Sequence, residues 1–153
     1  MGKINTGATR AEYIEVEPNV NLHITDAGEG RPIVLIHGWP LSDEMYEYQY
    51  NDLINSGFRA IGITLRGFGK SDKPYGEYNY NVHVLDIKKV LDKLDIKNAV
   101  LGGFSMGGPS LFVMHPRIME PIFQNWLCLE QQPQSGLNAM ISNSICQKVR
   151  LTI

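Results

Sequence analysis

Three short, largely apolar runs constrain this chain most: Ile33-Val34-Leu35-Ile36, Phe58 to Leu65, and Ala99-Val100-Leu101. Continuous runs of this kind are expected of strands buried on both faces. Helical signals separate them. Ser42 or Asp43 is placed to cap a helix running to about Asn55, which Gly57 would stop. Asn79 or Asn81 is placed to cap a second helix. Its Leu85, Ile87, Val90, Leu91 and Leu94 fall near one face at helical spacing. A third helix is expected after Ser105. Ahead of all this, Tyr13 to Val16 and Leu22 to Thr25 flank the turn Glu17-Pro18-Asn19 as a hairpin, followed by the turn cluster Asp26-Ala27-Gly28-Glu29-Gly30. A hairpin followed by β-α-β-α-β-α predicts an α/β fold, a mostly parallel sheet with flanking helices.

Composition narrows the function classes. The chain has 153 residues, enough for one domain, with 43% hydrophobic and 20% charged residues. A net charge of −2 offers no basic excess, so neither nucleic acid nor an anionic membrane is an expected partner. Two cysteines, Cys128 and Cys146, are too few for a disulfide scaffold. No apolar run is long enough for a membrane span, and Met1 to Arg10 lacks the apolar stretch of a secretion signal, so a cytoplasmic address is expected. Met1-Gly2-Lys3-Ile4-Asn5-Thr6 fits a loose acylation template, but residues 1–11 read more simply as a disordered leader.

The chemistry points to one serine. Gly103-Phe104-Ser105-Met106-Gly107 fits G-x-S-x-G between a core strand and a helix, the setting of a nucleophile elbow. Sterics require small residues two before and two after a serine on so sharp a turn, and Gly103 and Gly107 supply them. The bare pattern also describes a glycine-rich turn with a capping serine; its strand-to-helix context favours the elbow. The helix N-terminus behind Ser105 offers unpaired N–H groups to a developing oxyanion. His37-Gly38-Trp39-Pro40 directly follows the first apolar run. A loop there can aim the N–H of Trp39 at the same oxyanion as the N–H of Met106. His37 reads as a brace for that loop rather than as a base, because it comes too early in the chain order of a triad. Gly69-Lys70-Ser71 resembles part of a phosphate loop, but Thr64 occupies the required first glycine and Asp72-Lys73-Pro74-Tyr75-Gly76 follows where a helix should begin. Nucleotide binding is rejected on both counts.

Over about Glu12 to Pro109 the sequence resembles the α/β-hydrolase superfamily, specifically the cofactor-free haloperoxidase-like esterases. The resemblance rests on Pro32 to Pro40, on Arg66-Gly67-Phe68-Gly69-Lys70-Ser71-Asp72, and on Gly103-Phe104-Ser105-Met106-Gly107-Gly108. It implies the N-terminal half of an α/β-hydrolase fold. It also implies Ser105 as nucleophile, Trp39 and Met106 as oxyanion-hole donors, and no metal or other cofactor. The implied substrates are small esters, or carboxylic acids that are converted with peroxide to peracids.

Two features depart from the family. The triad order is Ser, Asp, His, yet no Asp follows Ser105, and the only later histidine is His115. Thr64 stands where relatives carry Asp, and Gly102 where a branched residue is usual; both are expected to weaken the local fold. Composition also changes at Ser110. Residues 110–153 hold one of the 15 glycines, both cysteines and only five charged residues. Back-translating from Ser110 with one base restored after the Pro109 codon gives, with suitable synonymous codons, the rest of a helix and a core strand of the kind the family places there. The expectation is therefore a leader at 1–11, a hydrolase core at 12–109 and an out-of-frame tail at 110–153. The alternative is a natural short variant with its own C-terminal helix. On the first expectation the strand at Ala99 is an exposed sheet edge open to self-association, the tail packs poorly, and the chain is inactive, a non-catalytic fragment or pseudogene product.

Overall fold

A computed structural model describes residues 10–114 and 123–129. Six strands form one sheet: β1 (Arg10–Glu17), β2 (Val20–Ala27), β3 (Arg31–Ile36), β4 (Phe58–Ile63), β5 (Ala99–Phe104) and β6 (Phe123–Leu129). Their spatial order is β1-β2-β4-β3-β5-β6. The β1–β2 hairpin joins β4 antiparallel; β4, β3, β5 and β6 are mutually parallel neighbours. The sheet is thus mixed, with the parallel part forming the α/β core expected from the sequence. Arg10 and Ala11 belong to β1, so this strand reaches into the segment expected to be a leader.

The apolar runs are continuous because both sheet faces are covered. Val34, Ile36, Ile61, Ile63 and Leu101 pack on one face beneath α2 (Tyr80–Lys93) and α3 (Gly107–Met114). Ile33, Leu35, Ala60 and Val100 point the other way, against Tyr46 and against Leu53 of α1 (Glu47–Asn55). The expected first helix begins as a short 3₁₀ turn at Asp43–Tyr46 and ends before Gly57, whose φ of +82° suits the residue that stops it. Asn79 caps α2 by accepting from the Val82 N–H at 3.0 Å. Leu85 departs from the expected apolar face of α2 and is exposed, while Val84 takes the buried position.

Two expectations are corrected. β5 is not an edge among the described residues: β6 pairs with it in parallel from Ala99↔Phe123 to Phe104↔Leu129. Part of the compositionally distinct tail therefore pairs into the sheet. Gln124 and Asn125 disguise this strand in the sequence, because they interrupt its apolar run. Ser110 lies within α3, so the compositional change falls inside a helix, where the sequence placed it. Second, Thr64 leaves no polar gap in its surroundings. It is fully buried, donates to the Asp43 carboxylate and accepts from the Asp43 N–H at 3.1 Å. At Gly102, Leu35 already occupies the neighbouring space, its Cδ2 3.1 Å from where a Cβ would lie. His115, Pro116, Pro121 and Cys146 lie outside the described residues.

Thr64→Asp tests that packing. Two carboxylates in one buried pocket cannot both ionise, so one keeps its proton near neutrality. We expect a loss of about 3 kcal/mol at pH 7. The added carboxyl's folded pKa would lie above its unfolded value, so the loss shrinks as pH falls towards the ordinary carboxylate range. Urea midpoints at pH 7 and pH 5 measure it; an equal loss at both would contradict the shared-proton account.

Candidate active site

Strand order reverses at β3: the chain leaves β3 for β4 on one side and returns past it to β5 on the other. Ligand crevices in open α/β sheets form outside the carboxyl ends of strands at such a switch point. The loops that leave β3 and β5 at this end carry His37 to Ser42 and Ser105-Met106.

Ser105 sits between β5 and α3 with φ +49°, a conformation that costs a non-glycine residue energy and must be held by its surroundings. Its side chain is exposed. The flanking glycines are sterically required. A Cβ on Gly103 would lie 2.6 Å from the Gly107 carbonyl carbon, and one on Gly107 would overlap the Ile36 carbonyl oxygen and lie 2.9 Å from that of His37. Gly38 brings the other loop in: a Cβ there would lie 2.9 Å from the Ser105 Cβ. The close approach of β3, β5 and α3 thus rests on three residues without side chains.

Met106 is partly buried against the α2-side core, and its carbonyl accepts from the Ser110 hydroxyl at 3.1 Å. The Gly108 N–H donates to the Ser105 carbonyl at 3.0 Å, which fixes the first turn of α3. Trp39 is 68% exposed and is joined to Pro40 by a cis peptide. Among the described residues, neither the Trp39 nor the Met106 N–H donates to a protein acceptor.

His37 is fully buried, and its tautomer follows from its partners. The Leu65 N–H donates to Nε2 at 3.0 Å, so Nε2 is unprotonated. Nδ1 therefore carries the proton and donates to the Gly38 carbonyl at 2.9 Å. Both nitrogens are committed to backbone, and Phe68 packs edge-on at 5.2 Å. Burial holds the His37 pKa below its ordinary value, with the Gly38 bond and Asp43 opposing the shift only partly. His37 braces the loop, as the sequence suggested, and is not a free base. Burial likewise lowers the pKa of His83 on α2. Both histidines bind protons more readily unfolded than folded. Their contribution to stability is present above pH 6.5 and is lost as pH falls below it. His37→Gln and His83→Gln should each flatten the stability–pH curve below that point; unchanged curves in both would contradict this.

The Arg66 to Asp72 segment is structural, with no phosphate loop. No helix follows it until Tyr80. Ser71 Oγ donates to the Thr64 carbonyl at 2.6 Å and accepts from the His23 N–H at 2.9 Å. Lys70 pairs with Glu44 at 2.7 Å on the surface. Arg66 makes a buried two-pronged pair with Asp86 at 2.6 and 2.7 Å and also reaches Glu17. Sequence reasoning missed this cluster because its members are far apart in the chain. Among the described residues no group of three His, Cys, Asp or Glu side chains is placed to hold a metal ion, and no helix is long and apolar enough to cross a membrane.

A serine at left-handed φ on a strand–turn–helix junction, beside the loop of a neighbouring parallel strand, defines the nucleophile-elbow architecture. The alpha/beta hydrolase fold model matches residues 31–117, and the chain belongs to that family. It is 51% identical over 96 residues to an AB hydrolase superfamily protein, YisY, of Bacillus subtilis, covering 63% of this chain and 36% of that one. It is 43% identical over 93 residues to a putative non-heme chloroperoxidase of Synechocystis, covering 61% and 34%. Among solved structures, an esterase from Exiguobacterium antarcticum superposes with a TM-score of 0.76 at 30% identity, covering 91% of this chain and 57% of that one. The chain spans about a third of the length of these curated relatives.

Proposed function

We propose that the chain carries the nucleophile and oxyanion half of a serine-hydrolase site for small esters, or for carboxylic acids undergoing perhydrolysis. Ser105 is the nucleophile, and the N–H groups of Trp39 and Met106 receive the developing oxyanion. The left-handed Ser105, enforced by Gly103 and Gly107, carries this reading. Relatives named esterase and non-heme chloroperoxidase support the substrate class. No cofactor enters the proposed chemistry.

A serine needs a base to become a good nucleophile. His37 is committed to backbone, no Asp follows Ser105, and His115 is the only later histidine. On this reading the 153-residue polypeptide is expected to turn over slowly or not at all. In a serine protease, losing the base costs about 10⁶ in kcat. The test is a fluorophosphonate label read by intact mass. We expect labelling slower than that of a relative with a complete triad by several orders of magnitude, confined to Ser105 and absent from Ser105→Ala. Fast, stoichiometric labelling would show a working base and overturn the inactivity. Labelling unaffected by Ser105→Ala would overturn the assignment of the nucleophile.

A further inference from the structure

The loop that carries Trp39 has few fastenings of its own: Leu41 N–H donates to the Gly38 carbonyl at 2.9 Å, and Met45 N–H to the Ser42 carbonyl at 3.2 Å. Its two ends are held instead. At the entry, His37 bonds to Leu65, and the Tyr46 hydroxyl donates to the Ile36 carbonyl at 2.8 Å. At the exit stands Asp43, 1% exposed. Its carboxylate accepts from Thr64 Oγ1 and from Thr25 Oγ1 at 2.5 Å, and lies 3.3 Å from His23 Nδ1. Its N–H donates to Thr64 Oγ1, and its carbonyl accepts from the Tyr50 hydroxyl at 3.0 Å. Burial, with the Asp43 charge adding to it, pushes the Tyr50 pKa far up, so Tyr50 stays a donor.

The geometry points to Asp43 as the positioning residue for the oxyanion donor Trp39. Four separate parts of the chain converge on it: β2 through His23 and Thr25, the end of β4 through Thr64, α1 through Tyr50, and the 3₁₀ turn that Asp43 itself begins. A single buried carboxylate fixes where the loop leaves the sheet, and so where its N–H points. Charge-assisted bonds are about twice as strong as neutral ones, which is why a carboxylate suits this hub better than an amide. Asp43 touches no reacting atom; it acts through the backbone between residues 39 and 43. Its role in catalysis rests on the proposed function above, whereas its control of the loop does not.

The test follows the Trp39 and Met106 amide NMR signals in ¹⁵N-labelled wild type, Asp43→Asn and the milder Thr25→Val, before and after titration with phenylboronic acid. In the adduct, Ser105 Oγ donates a lone pair to boron and its proton passes to solvent, leaving a tetrahedral boronate anion. Without the ligand, both variants should move or split the Trp39 signal and leave Met106 in place. With it, Asp43→Asn should bind about tenfold more weakly, a fraction of the ~10²–10³ lost when an oxyanion donor is removed outright. A Trp39 signal unmoved in both variants, or Met106 moving equally, would overturn the inference. If Asp43→Asn does not fold, Thr25→Val decides by the same readings. A wild type in which phenylboronic acid moves neither amide would refute the oxyanion reading, while the comparison without ligand still judges Asp43.

Discussion

Gly107→Val should destabilise the protein by about 3 kcal/mol or more, at the upper end of what overpacking costs. The added Cβ would overlap the Ile36 carbonyl oxygen, and a second backbone carbonyl, that of His37, lies 2.9 Å away. These are main-chain atoms at the end of β3 and in the residue just beyond it, so they cannot rotate aside as a flexible side chain would. Relief requires α3 to lift from the β3–β5 pair, which also breaks the turn that holds Ser105. Gly57→Ala makes the contrast. A Cβ there meets nothing within 4 Å, so only its positive φ is penalised. That strain is about 1–2 kcal/mol. Urea midpoints measure both variants. Equal losses would mean that backbone contact at Gly107 is not what fixes the elbow.

Arg66→Ala should cost about 3–5 kcal/mol, as when a buried charge loses its partner. The Asp86 side chain is only 1% exposed and receives both guanidinium bonds at 2.6 and 2.7 Å. Asp86 holds the Arg66 pKa well above its ordinary range, with help from Glu17 against the opposing effect of burial. Removing the cation strands Asp86 on the buried face of α2. Replacing both partners, Arg66→Met with Asp86→Leu, should recover most of the loss because no unpaired charge remains. Since domains are stable by only about 5–15 kcal/mol, the single variant is expected to melt tens of degrees lower or not to fold. A double variant as unstable as Arg66→Ala would show that the ion pair itself, rather than its uncompensated half, stabilises the fold.

The sequence was informative where a signal is local. Apolar runs located β3, β4 and β5, because strands covered on both faces have no polar alternation. Asn79 and Gly57 marked helix limits through capping and a positive φ. Ser105 with its two glycines was legible because an elbow's sterics confine small residues to fixed offsets. What was hidden depends on residues distant in the chain. The Asp43 hub draws on positions 23, 25, 50 and 64, and the Arg66 cluster on 17 and 86; no spacing rule links them. One faint signal existed: Gly62 interrupts an apolar run, and the Tyr50 hydroxyl occupies the space its side chain would take. Thr64 looked like a lost carboxylate, yet Asp43 brings one to its hydroxyl from another element. β6 was hidden because its polar residues and its place in the unusual tail argued against a strand there.

On the proposed function, Ser105 is built into an elbow but has no base to activate it among the described residues. Steady-state hydrolysis of p-nitrophenyl acetate by the purified chain, beside Ser105→Ala, tests this most directly. Both are expected to hydrolyse the ester at indistinguishable rates, close to the background of a protein surface. Turnover approaching that of a relative with a complete triad, and abolished by Ser105→Ala, would contradict it.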